Sequence, residues 1–243
     1  MKNNRDLRNK LNDNENRQIA EMIENSAFTK SEISRFAMIG NGNKKLIPDN
    51  EVRYMVFNLQ ARLTCPFKTA HCSQSCYAVK AETAYPETLP ARMRNFRLSQ
   101  SENFVPYMIK AIHAIASRKA YKNAKHIFFR IHESGDFYNA KYAANWIEIM
   151  NACRDIDNLQ FIAYTKSVRY FVNVELPQNF TLRYSIWDDT NPVEIAIAAA
   201  MGLPIYTAVN ELPADYTLCE CKNCSTCKKC FDNDCKKIAC KIH

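Results

Sequence analysis

The spacing of apolar positions changes several times along the chain. Five short runs are rich in aromatic or β-branched residues: "YMVFNLQ" (54–60), "HIFFRIH" (126–132), "QFIAYT" (160–165), "FTLRYSI" (180–186) and "PIYTAV" (204–209). Runs of this length and content predict buried strands. Between them the apolar positions recur at helical spacing. Phe104, Met108, Ile112 and Ile115 form one stripe, and Tyr142, Trp146, Ile149 and Cys153 form another. The stretch "NPVEIAIAAAMG" predicts a helix with Asn191 as its cap, Pro192 in the first position, Glu194 closing a capping box and Gly202 ending it. Further upstream, "TKSE" at 29–32 reads as a capping box. Residues 1–18, rich in Asn, Arg and Asp, read as an exposed leader.

Alternating strands and helices predict an α/β fold, a partial (β/α) barrel with a mainly parallel sheet. Residues 1–50 form a helical or flexible leader in this reading, and 51–211 form the barrel. At 212–243 the composition shifts to a tail containing "LCECKNCSTCKKCFDNDCKKIACKIH". So few apolar residues imply that something other than apolar burial holds the tail.

In parallel α/β folds, ligands meet the carboxyl ends of the strands. After the second predicted strand come His132, Glu133, Ser134, Gly135 and Asp136; after the third, Thr165, Lys166 and Ser167. The fourth gives Ser185, Trp187, Asp188 and Asp189, and the fifth Asn210 and Glu211. His132, Glu133, Asp136 and Lys166 are the candidates for proton transfer or substrate orientation. Ser134, Gly135, Thr165, Ser185 and Asp188 are the candidates for cofactor contact. Plainer roles compete: a core histidine at 132, turn or cap aspartates at 136 and 189, and a solvated Lys166. Arg92, Arg94 and Arg97 read as a wet helix face or a clamp for phosphate or carboxylate.

Composition narrows the picture. The 243 residues are 47% hydrophobic, enough for one sizeable core. No apolar run approaches the ~18 residues of a membrane span, and no secretory signal opens the chain, so a cytoplasmic protein with no membrane partner is expected. The four glycines cannot build a Walker loop or a dinucleotide fingerprint. The formal charge of +8 suits nucleic acid, but lysines among the tail cysteines would also offset bound thiolates. Nucleic acid is therefore an expected alternative partner rather than the favoured one.

Eleven cysteines in a reducing compartment favour metal over disulfides. Cys153 falls in a helical stripe and reads as core. Cys65, Cys72 and Cys76 supply three thiols and leave a fourth place open, with His71 awkwardly close to Cys72 to fill it. A 4Fe-4S cluster on three thiolates keeps one iron free, whereas structural zinc wants four ligands. The tail adds Cys219, Cys221, Cys224, Cys227, Cys230, Cys235 and Cys240. Its repeated two-residue gaps suit a second 4Fe-4S cluster, with zinc as the alternative.

"CPFKTAHCSQSCYA", "RIHESGDFYNAKYAANW", "YTKS" and the terminal "CSTCKKCF" follow one another in an order that resembles the gene-product-eighty-eight-like family of phage and bacterial proteins. More distantly, the layout is similar to radical S-adenosylmethionine enzymes, which carry a three-cysteine cluster after the first barrel strand. That resemblance implies a site-differentiated cluster at Cys65, Cys72 and Cys76, with Glu133 to Asp136 facing S-adenosylmethionine or substrate. It also implies a small-molecule or nucleotide-type substrate and an electron donor such as a ferredoxin or flavodoxin. The expected function is a radical-SAM-like iron–sulfur enzyme. The alternatives are a zinc-stabilised nucleic-acid-binding protein and an electron carrier or redox sensor.

Overall fold

The computed structural model describes residues 10–26, 28–219 and 223–241. Two helices lead in. α1 (Asp13–Glu24) is opened by a reciprocal capping box between Asn12 and Glu15, and α2 (Lys30–Phe36) by the expected box between Thr29 and Glu32. Within the leader expected to be exposed, residues 13–18 are thus helical. Ile19 and Met22 turn into the core, and Glu15 pairs with Arg97.

The two-residue β1 (Ile39–Gly40) precedes β2 (Val52–Phe57). Five helices follow: α3 (Ala70–Gln74), α4 (Tyr77–Ala84), α5 (Thr88–Ser99), α6 (Phe104–Ala116) and α7 (Lys119–Lys122). Then come β3 (His126–Ile131), α8 (Ala140–Ala152), β4 (Leu159–Thr165), a 3₁₀ turn, β5 (Phe180–Ile186), α9 (Pro192–Ala200) and β6 (Ile205–Val209). The tail contributes β7 (Thr217–Leu218), α10 (Cys224–Cys227), a 3₁₀ turn and β8 (Lys237–Lys241). All five expected strands form, four within a residue of their predicted limits and the first, β2, beginning two residues earlier and ending three residues earlier than expected. α9 begins as expected, with Asn191 capping Val193 and Pro192 at its start. Glu194 closes no box there; it is buried and pairs with Arg169.

Among the described residues the sheet has eight strands, in the order β1-β2-β3-β4-β5-β6-β8-β7. Only β1 is antiparallel. The fold is mixed α/β with a mostly parallel sheet, and β2 to β6 and then β8 stand side by side in chain order.

Alternation sends neighbouring side chains to opposite faces. Met55, Phe57, Ile127, Phe129, Ile131, Phe161 and Ala163 face the helices and share one core with the α6 and α8 stripes. Val52, Tyr54, Val56 and Phe128 cover the other face, where Leu46, Cys224 and Phe231 meet them. Apolar burial on both faces is why these strands read as continuous hydrophobic runs.

The tail is therefore seated on the sheet's second face, with Phe231 stacked on Phe128 at 3.7 Å. Arg183, fully buried in β5, donates to the carbonyls of Cys230 (2.7 Å), Cys235 (2.8 Å), Lys229 (3.0 Å) and Asp232 (2.6 Å). Apolar contact, the pairing of β8 with β6 and β7, and this guanidinium all bear on the segment. Its apolar residues are few but placed where they count.

Candidate metal and active-site rim

Two loops at the carboxyl ends of β2 and β3 are tied together. Asn58 Oδ1 accepts from the amides of Glu133 (2.6 Å) and Ser134 (3.1 Å). The Ser134 hydroxyl donates to the Leu59 carbonyl at 2.8 Å, and the Asp136 amide donates to the Thr64 carbonyl at 3.2 Å. Gly135 has φ +86°, and a Cβ there would come within 2.6 Å of Thr64 Oγ1 and 2.7 Å of Leu59 Cβ. Only glycine fits so close an approach in that conformation. Ser134 and Gly135, expected at a cofactor, are occupied in clamping the three-cysteine loop to the sheet.

Asp136 is the acid on which the rim is organised. Thr165 Oγ1 donates to Oδ1 at 2.6 Å, the Lys166 amide to Oδ2 at 2.8 Å, and the Phe137 amide to Oδ1 at 2.7 Å. Burial pushes its carboxyl upward while these donors and the Lys166 charge pull it down. Lys166 is buried too, with Nζ donating to Ser185 O (2.7 Å) and Ser185 Oγ (3.2 Å). Burial lowers its affinity for a proton, and Cys72, Asp136 and Asp189 oppose that. Cys65 is pushed up to about 12 by burial and then by Asp136. Burial raises Cys72 as well, against the Lys166 charge. Cys65, Cys72, Asp136 and Lys166 thus act on one another directly. Cys76 caps α4, beside Tyr77.

Other candidates lie apart. His132 takes φ +68°, which turns its ring into the core, where it packs on Phe137 and shares a 2.9 Å hydrogen bond with the Tyr142 hydroxyl. Nδ1 has no partner among the described residues, and burial drives its pKa down to about 3. The ring is a neutral core group, away from the rim's proton chemistry. Glu133 turns toward Asn43, accepting from its amide (3.1 Å) and Nδ2 (2.7 Å), and lies 3.6 Å from Arg130. Asp188 is exposed and meets His71 Nδ1 at 2.6 Å, while Asp189 accepts from the His71 amide at 2.9 Å. These three are the one group of three ligand atoms within 4.8 Å of each other among the described residues. Arg92 is engaged by Glu82 at 3.0 Å and Arg97 by Glu15, so neither stands free as a phosphate clamp.

In the tail, Cys219, Cys224, Cys227, Cys230, Cys235 and Cys240 are free thiols, and Cys221 lies outside the described residues. Four residues escaped sequence reasoning: Asn58, Arg130, Arg183, and Tyr77, whose hydroxyl donates to the Glu133 carbonyl and so ties α4 to the β3 loop. The two arginines did carry a signal, a lone charge inside an apolar strand of a sheet covered on both faces. Such a charge must find partners within the fold.

Among the described residues, no helix is long and apolar enough to cross a membrane. The family model described as Gene product 88 matches residues 33–233, which include the whole rim and the tail as far as Cys230. The Gene 88 protein of Mycobacterium phage D29 is 27% identical over 137 residues, 55% of this chain and 55% of that protein. That of Mycobacterium phage L5 is 28% identical over 142 residues, with the same two shares. The chain thus spans about half the length of the curated relatives it matches. No solved structure matches it. With the family pattern running through both cysteine groups and the strand ends between them, the chain belongs to the Gene product 88 family.

Proposed function

We propose that the chain is an iron–sulfur-dependent enzyme on a partial (β/α) barrel, with an open centre at Cys65, Cys72 and Cys76. The observation that carries this reading is convergence. The loop after β2, at the Thr64 carbonyl next to Cys65, accepts from the Asp136 amide of the β3 loop, and the Asp136 carboxylate accepts from the amide of the buried Lys166 at the end of β4. Six parallel strands in chain order support the barrel, β8 supplying the one that the sequence pattern lacked.

The donor set fits a cluster. The thiols are partly buried and unbridged, and at Cys65 burial and Asp136 favour the protonated form. A bound cation reverses that preference and holds them as thiolates. A cluster on three thiolates offers one iron to a small ligand. The chain's own residues do the rest. Lys166, anchored by Ser185, holds a proton beside Cys72. Asp136 has its oxygens taken by Thr165, Lys166 and Phe137 and serves as a fixed charge that positions Lys166. S-adenosylmethionine is the first ligand to try.

The test is iron, acid-labile sulfide and zinc per chain on protein purified without oxygen, with EPR spectra before and after adding S-adenosylmethionine. The expected result is about eight irons with matching sulfide, and a loss of about half in Cys72→Ala with the fold retained. Zinc without sulfide overturns the reading and turns attention to nucleic acid through the lysine-rich tail, where salt dependence is diagnostic.

A further inference from the structure

Tyr164 of β4 and Tyr206 of β6 point from the sheet's second face, their rings edge to face at 4.8 Å. Cys230 is set over β5 by its carbonyl, which accepts from Arg183 Nε at 2.7 Å, and Arg183 stands opposite Tyr164 in the sheet. Cys240 stands in β8 opposite Ala208 of β6. The Cys219 amide donates to the carbonyl of Ala239 at 2.6 Å, which sets Cys219 beside Cys240. Cys224 is fixed by its amide, which donates to Lys45 O at 2.8 Å, and packs on the patch formed by Tyr54, Val56 and Phe128. Four thiols from four separate pieces of the tail thus gather over one part of the sheet.

A second observation points the same way. Arg130, on the same face as Val56, lies against the Tyr164 ring with its carbon 4.9 Å from the centroid. Its nearest carboxylate oxygen, on Glu133, is 3.6 Å away and already receives two hydrogen bonds from Asn43; Arg130 Nε is buried without any partner. An under-compensated guanidinium beside thiols calls for anions, and metal-bound thiolates supply them.

We propose that Cys219, Cys224, Cys230 and Cys240 are the four ligands of one thiolate-bound metal centre on the inner face of the sheet, with Arg130 as its counter-charge and with Cys227 and Cys235 outside it. The identity of the metal rests on the functional reading above; the ligand set does not. Spacing favours a cluster. A single zinc with 2.3 Å bonds holds its sulfurs about 3.8 Å apart. Among the described residues, the only trio of ligand atoms within 4.8 Å is the His71 group, so no three thiols come that close. Cys227 lies a turn beyond Cys224 in α10, and Cys235 lies beyond the 3₁₀ turn that carries Cys230.

The experiment compares Cys230→Ser, Cys240→Ser, Cys227→Ser and Cys235→Ser in the full chain, made both with the native rim and in the Cys72→Ala background. The readouts are metal and sulfide per chain, with circular dichroism to confirm folding. The expected result is loss of all remaining metal from Cys72→Ala when Cys230 or Cys240 is replaced, and full retention when Cys227 or Cys235 is replaced. Arg130→Gln should keep the centre and lower its reduction potential. Metal retained without Cys230, or lost without Cys235, overturns the ligand set. Zinc lost in the same pattern upholds the ligand set while the iron–sulfur reading of the rim fails. A native protein that binds no metal overturns both.

Discussion

Arg183 and His132 show how one side chain can decide what surrounds it. Arg183 has no carboxylate partner among its hydrogen bonds; its guanidinium is matched to four carbonyls of a single loop. Lysine cannot reach four acceptors in that planar arrangement. Arg183→Lys should therefore cost about 3–5 kcal/mol, the usual range for breaking a buried charged network. Urea denaturation measures the loss, and limited proteolysis should find residues 229–235 cut first. An unchanged urea midpoint would mean that the loop is held by other contacts. His132 makes a pH-dependent contribution. Its ring is neutral in the fold, with a pKa near about 3, against an ordinary value of 6.5. Between those values the unfolded chain takes up a proton that the folded one refuses, so stability falls as the solution is acidified below 6.5. From pH 7 to 4.5 the loss is about 2–3 kcal/mol. His132→Asn tolerates the positive φ and carries no such proton. Its stability should fall less steeply over that interval, and parallel curves for the two proteins would refute the buried-neutral assignment.

The strands and helices were legible because a covered parallel sheet imposes continuous apolar runs, and packed helices impose stripes. What escaped was short or oddly composed. β1 and β7 are two residues each, too short for any period. β8, "KIACK", has lysines at both ends and reads as tail, yet its middle three residues are buried between β6 and β7. Asp136 and Lys166, read as strand-end residues, do lie together at the carboxyl ends of β3 and β4. The strand-end pattern misled at His132, since a left-handed residue after β3 reverses the facing that alternation predicts. The same loop supplies a further test. Gly135→Ala places a methyl group 2.6–2.7 Å from Thr64 and Leu59 in a conformation that alanine disfavours. The expected cost is about 2–4 kcal/mol, combining left-handed strain with overpacking. Because the strain falls where the β3 loop grips the cysteine loop, rim metal should drop more than tail metal. Loss of both in proportion would point to general unfolding instead.

Tail and sheet are each incomplete without the other. β8 pairs with β6 on one side and β7 on the other, Phe231 covers Phe128 and Tyr54, and the Ser225 hydroxyl hydrogen-bonds to Tyr54 at 3.0 Å. A detachable metal-binding appendage would come away with little effect on the rest. Here its removal strips the inner face of Tyr54, Val56 and Phe128 and leaves the Arg183 guanidinium buried without acceptors. A chain ending at residue 211 should therefore fail to give a soluble, cooperatively unfolding protein. Phe231→Ala is the milder probe and should lower stability by about 1–3 kcal/mol, the worth of a partly buried aromatic contact. The informative quantity is the number of unfolding transitions in that variant. One transition, shifted downward, means that tail and sheet unfold together, so that metal bound by the tail stabilises the rim as well. Two transitions, with the rim's unmoved, would make the tail an independent unit, and the coupling between the two cysteine groups would be lost with it.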